Sequence, residues 1–169
     1  MDLLEKVKSL SGKYSDEVIR MRRHIHANPE LSYKEFKTAS YVADQLRSFG
    51  IEPLEGIATT GVLAEVKGKN PARKTVALRA DMDALPIVEA NNVSYKSTNN
   101  GVMHACGHDA HTAMLMATAS VLTQLKSQLA GTVLFVFQPA EEGGAGAQRM
   151  IEDGLFDRYP VDAVFAMHN

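Results

Sequence analysis

The sequence has one cysteine, no excess of charge of either sign, no internal repeat, and no apolar run near the roughly 20 residues that cross a bilayer. Each absence excludes something. A lone Cys106 leaves no intramolecular disulfide. The start, Met1 to Lys8, mixes Asp2, Glu5, Lys6 and Lys8 with its leucines, whereas a secretory signal needs an uninterrupted apolar stretch of roughly 7–15 residues. With neither an export signal nor a disulfide, a reducing cytoplasm is the expected location. The 18 basic and 20 acidic residues give a formal charge of −2, which creates no field to gather nucleic acid or an anionic membrane surface. The expected partner is therefore a small molecule.

What is present suits one ordinary domain with a real core: 169 residues, 45% of them hydrophobic. Leu3, Leu4, Val7 and Leu10 form a helical stripe, and after a break expected at Ser11-Gly12 the spacing resumes through Val18, Ile19, Arg22, Ile25 and His26. Ser32-Tyr33-Lys34-Glu35 reads as a capping box before a helix that carries Phe36, Ala39, Val42, Ala43, Leu46 and Phe49 on one face, with Gly50 just past its end. Residues 61–66 and 75–80 read as strands joined by a turn of hairpin or short-loop length, and residues 91–101 as a surface loop. A helix is expected from about Asp109 to Leu125, another over 144–151, and buried strands over 131–137 and 161–167. This alternation predicts a layered α/β/α domain with a largely parallel mixed sheet. The chain stops at His168-Asn169, directly after a strand that reads as buried, so the sequence looks truncated.

Ligands of open α/β sheets bind beyond the carboxyl ends of the strands, so the residues there are the ones that bear on function. They are Asp81-Met82-Asp83, Gln138-Pro139-Ala140-Glu141-Glu142-Gly143-Gly144 and His168, with the run His104-Ala105-Cys106-Gly107-His108-Asp109-Ala110-His111 leading into a helix beside them. Thiolate, imidazole and carboxylate are the standard donors for a zinc-like ion. Cys106, His108, Glu142 and His168 are the four good candidates; two ions about 3.5–4 Å apart would use five or six. Neighbouring Glu141 and Glu142 cannot both bind one ion comfortably, which frees one to act as a general base. Bland readings stand beside these: a buried hydrophobic cysteine, a solvated Glu-Glu face, a histidine that caps the sheet. His104, Asp109 and His111 are supporting positions, and His24 and His26 read as structural or surface residues.

Five ordered blocks carry a family resemblance: Arg22 to Ser32, Arg79-Ala80-Asp81-Met82-Asp83-Ala84-Leu85-Pro86, Met103 to His111, Gln138 to Gly143, and Met167-His168-Asn169. Across essentially its whole length the chain resembles the M20 metallopeptidases, in the amidohydrolase branch of N-acyl amino acid, hippurate and indoleacetyl-amino-acid hydrolases. The resemblance implies two divalent ions (Zn, Mn, Co or Ni) on Cys106, His108, Glu142 and His168, with Glu141 as the base. Asp83 matches an aspartate that steadies a metal-binding histidine. Two residues earlier the wider family has a histidine ligand; here Asp81 stands there, and Cys106 looks like the substitute anionic ligand. The resemblance further implies that residues 1–169 are the N-terminal part of the catalytic domain, without the lid domain, the last histidine ligand or the homodimer contact made through the lid.

The reaction so implied is hydrolysis of N-acyl amino acids. A dipeptidase or carboxypeptidase of the same family is an alternative, and so is a cysteine-nucleophile amidase built on Cys106 with His108 or His111. A non-catalytic metal-binding module is the rival from outside enzymology.

Overall fold

In the computed structural model, which describes residues 2–169, helices α1 (Leu3–Ala27) and α2 (Phe36–Ser48) precede strands β1 (Leu54–Ile57), β2 (Gly61–Lys67) and β3 (Thr75–Asp81). Helix α3 (His108–Gln124), strand β4 (Thr132–Gln138), helices α4 (Gly146–Glu152) and α5 (Leu155–Arg158), and strand β5 (Ala163–Ala166) follow. The strands form one sheet in the order β1-β2-β4-β3-β5. β4, β3 and β5 pair in parallel, while β2 is antiparallel to both its neighbours, β1 and β4. All strands except β2 therefore point the same way, the largely parallel layout expected.

Alternation along the strands builds the layers. Val62, Ala64, Val66, Ala80, Phe135 and Phe137 face Met21, Val42, Leu46 and Met116 of the first three helices. Leu63, Ala77, Leu134 and Val136 face Met150 and Leu155 on the other side. A strand covered on both faces has no polar face to show, so β4 reads in sequence as an unbroken apolar run. Helix α3 is buried around most of its circumference because it is wedged between α1, α2 and the sheet.

Several local expectations are corrected. Helix α1 runs unbroken through Ser11-Gly12, since an exposed glycine costs a helix interior only about 1 kcal/mol, too little to stop 25 residues. The capping box is not one. Helix α2 starts three residues later than that pattern implies, Glu35 at its N-cap makes no side-chain cap bond, and the Glu30 carboxylate takes the amides of Lys37 and Thr38 instead. Its other end is as expected: Gly50 adopts φ 78, and Ile51 N bonds back to Leu46 O.

Strands β2 and β3 are not a hairpin, because β4 lies between them and Thr132 pairs with both Lys67 and Thr75. Strand β1 and helix α5, each four residues long, carry no periodicity strong enough to announce them. Strand β5 reads as buried but is an edge strand paired only with β3, leaving Val164 50% and Phe165 59% exposed.

Candidate metal centre

Because β3, β4 and β5 are parallel, their carboxyl ends share one edge, with Asp81 opposite Gln138 in register. Helix α3 delivers His108 there as its first residue. Gly107 enters that helix at φ 89, and a Cβ on it would run into the Asn169 side chain, so the position demands glycine.

His108 is the hub. Its Nε2 lies 3.8 Å from Glu141 Oε2, 3.8 Å from Glu142 Oε1 and 3.7 Å from Asp81 Oδ1. Cys106 Sγ lies 3.4 Å from His168 Nε2. Donor atoms of Cys106, His108 and His168 fall within 4.8 Å of one another, and so do those of His108, Glu141 and Glu142, and of Asp81, His108 and His111. In the third set both oxygens of Asp81 are already engaged: Oδ1 takes His111 Nδ1 at 2.7 Å, and Oδ2 takes Arg79 at 2.6 Å. The first two sets, which contain all four sequence candidates, are the ones with donors to spare.

Asp83 organises them without joining them. Its Oδ1 accepts from Glu141 N at 3.0 Å, and its Oδ2 accepts from Glu142 N at 3.0 Å and from Ser32 Oγ at 2.6 Å. Its carbonyl accepts a bond from His108 Nδ1 at 2.9 Å, which places the proton on Nδ1 and leaves the Nε2 lone pair facing the rim. Burial alone would raise the Asp83 carboxyl, but the bonds from His108, Ser32 and the Glu142 and Glu141 amides hold it down at about 2.

A cation fits this site. His108 Nε2 and Glu142 Oε1 are both buried without a hydrogen-bond partner, and each such orphan costs about 1–3 kcal/mol unless something satisfies it. Burial, then the neighbouring carboxylates of Glu142, Glu141 and Asp81, push the Cys106 thiol up to about 11. A catalytic cysteine nucleophile needs the opposite shift, so the thiol-amidase alternative fits poorly, whereas a bound cation would offset those same carboxylates. His108 shows the same preference for positive charge: burial would lower it, yet Asp83 and Asp81 raise it.

The supporting positions now have contacts. His111 Nε2 faces the Asn169 side chain at 3.0 Å and accepts its backbone N–H at 3.3 Å, so the Asp81–His111 pair props the segment that carries His168. Asp109 is buried and takes Arg22 Nε and His26 Nδ1, each at 2.7 Å, while His26 Nε2 meets Glu89 at 3.0 Å. His26 is thus structural, as read, and lies in none of the three donor sets. His24 stacks on Tyr41 with ring centroids 4.1 Å apart. His104 is buried with neither ring nitrogen bonded, and burial pushes it down to about 4, which keeps it neutral. Sequence reasoning missed Ser32, Glu35 and Glu89; no motif marks Glu89, and the capping-box pattern misdirected the other two.

The fold and this donor set define an α/β domain with a candidate metal centre at the carboxyl edge of its sheet. Residues 77–169 match the profile of peptidase family M20/M25/M40, and the chain belongs to that family. It is 50% identical over 99% of its length to "Thermostable carboxypeptidase 2" of Saccharolobus solfataricus, covering 43% of that protein. It is 48% identical over 97% of its length to "N-acyl-L-amino acid amidohydrolase" of Geobacillus stearothermophilus, covering 44% of it. The crystal structure of the Bacillus subtilis YXEP protein, a dinuclear metal binding peptidase from the M20 family, superposes with a TM-score of 0.88 at 45% identity, over 94% of this chain and 44% of that one. The chain thus spans less than half the length of each relative.

Proposed function

We propose that the full-length protein hydrolyses the amide bond of N-acyl amino acids, releasing a carboxylic acid and a free amino acid. Cys106, His108, Glu142 and His168 would hold two divalent ions of the Zn, Mn, Co or Ni type, and Glu141 is the general base. When bound, such ions polarise a carbonyl and make water acidic enough to ionise near neutral pH. The chain's own residues do the rest. Glu141 takes a proton from the attacking water at its carboxylate and returns it to the departing amine nitrogen. Asp83 holds Glu141 and Glu142 at their amides and fixes the His108 tautomer.

The observation that carries this reading is the difference in burial between two adjacent acids. Glu142 Oε1 is buried and unpartnered beside His108 Nε2, whereas the Glu141 side chain is 40% exposed toward the open rim. Both carboxylates come within 3.8 Å of His108 Nε2, but the buried oxygen of Glu142 needs a cation while Glu141 stays open to solvent, as a base that meets water must.

In this reading residues 1–169 form the N-terminal part of a catalytic domain, the lid domain and homodimer contact lie elsewhere in the full-length enzyme, and the protein works in the cytoplasm on small substrates. Among the described residues no helix is long and apolar enough to cross a membrane. A carboxypeptidase reading is favoured by the name of the Saccharolobus relative, and it shares one product, a free amino acid cut from an amide. N-acetyl amino acids assayed beside short peptides separate the two. Glu141→Gln should lower turnover by about 10²–10⁴-fold with metal content retained, and Glu142→Gln should lower metal content itself. Near-normal hydrolysis by Glu141→Gln would falsify the assignment.

A further inference from the structure

The turn that presents Glu141 and Glu142 is an improbable piece of backbone. Ala140 and Ala145 sit at φ 52 and 53, a left-handed conformation that alanine adopts at a cost of roughly 1–2 kcal/mol, and Gly143 at φ 85 lies between them. Within the turn only Gly143 N to Glu141 O, at 2.8 Å, and Gly146 N to Ala140 O, at 3.0 Å, bond backbone to backbone. No ladder of strand or helix holds it.

The segment between α1 and α2 does. Glu35 is fully buried; its Oε1 accepts from Ala140 N at 2.9 Å, and its Oε2 accepts from Thr60 Oγ1 at 2.6 Å. The Tyr33 hydroxyl donates to Gly144 O at 2.6 Å. Ser32 donates to the same Asp83 carboxylate that holds the Glu141 and Glu142 amides. Three residues over 100 positions away in sequence grip both flanks of the acidic pair.

Resting on the roles proposed above for Glu141 and Glu142, we infer that Ser32–Glu35 is a positioning clamp on the 139–146 turn, with Glu35 on the Ala140 amide as its main contact. Glu35 touches no proposed ligand. It acts by fixing the one backbone N–H whose direction sets the two residues that follow.

The test compares Glu35→Met with Thr60→Val in the full-length protein, reading hydrogen exchange over residues 138–146 and the dissociation constant for Co²⁺. Methionine fills the volume but accepts from neither partner, while Thr60→Val removes only the contact that does not reach the turn. Glu35→Met should speed exchange in 138–146 by about tenfold and weaken Co²⁺ binding by about tenfold, the effect of leaving one buried amide without an acceptor. Thr60→Val should change both by less than about twofold, and Glu35→Gln, which keeps an oxygen for Ala140, should restore both.

Equal effects of Glu35→Met and Thr60→Val, or unchanged exchange in Glu35→Met, overturn the clamp. If Glu35→Met does not fold, Tyr33→Phe deletes a single hydroxyl and should speed exchange in 138–146 alone by about threefold; no change there overturns it equally. Should the wild-type protein fail to bind Co²⁺, the metal reading falls, and the exchange measurement still decides the clamp.

Discussion

Asp83→Asn is the substitution whose cost follows most directly from the structure. Asparagine keeps the shape of aspartate but replaces one oxygen with an NH₂ group. Turned one way, that group faces the Glu141 amide; turned the other, it faces the Glu142 amide and the Ser32 hydroxyl. Either orientation leaves at least one backbone N–H without an acceptor at a residue only 1% exposed, which costs about 1–3 kcal/mol.

The carboxyl's own titration gives a second route to the magnitude. It is held at about 2 against a usual 3.8, which corresponds to about 2 kcal/mol of stability at neutral pH. Because the folded value lies below the unfolded one, this stabilisation is present above about pH 4 and fades as pH falls through about 2. Asp83→Asn should therefore lower the unfolding free energy by about 2–3 kcal/mol and Tm by about 5–10 °C at pH 7, and the gap from wild type should close toward pH 2. The protein has no tryptophan, so denaturant unfolding is followed by far-ultraviolet circular dichroism. A variant within about 0.5 kcal/mol of wild type at pH 7, or a gap that widens in acid, would refute the role given to Asp83.

Cys106→Ser should remove the near-ultraviolet thiolate charge-transfer band of the Co²⁺-loaded protein; a surviving band would show that Cys106 is no ligand. Burial, opposed by bonds from Thr60 and Ala140 and assisted by the Asp83 charge, raises Glu35, so its contribution to stability is greatest below about pH 4.5 and declines as pH rises through the folded value. Glu35→Gln, neutral at every pH, should thus be more stable than wild type at pH 7 and equal to it near pH 4; equal stability at both would contradict the shift. Gly107→Ala should cost about 1–3 kcal/mol for its positive φ and its crowding against Asn169, whereas Gly12→Ala, in open space on α1, should add about 0.5–1 kcal/mol. Chemical denaturation of the pair checks both signs.

Local chemistry carried over from sequence to structure wherever neighbours in the chain were also the deciding neighbours in space. The stripe Val42, Leu46 marked the buried face of α2, Gly50 marked its end, and the apolar run of β4 marked a strand covered on both sides. Cys106, His108, Glu142 and His168 were legible as candidate donors because short motifs at strand and helix ends carry metal-binding donor types. The capping box failed for the complementary reason. Ser32 and Glu35 have the right spacing for a cap, yet Asp83 and Ala140, far along the chain, offer their side chains better-buried partners.

The sequence by itself determined the layer architecture and the kinds of donor available, since periodicity and residue chemistry are properties of short stretches. Only the tertiary structure decided that β4 inserts between β2 and β3, that His108 Nε2 and Glu142 Oε1 are left unpartnered side by side, and that Asp81 is spoken for by Arg79 and His111. Those outcomes depend on which distant groups reach each other once the core has closed. A hydrogen bond between residues 25 to 105 positions apart leaves no mark on either local pattern.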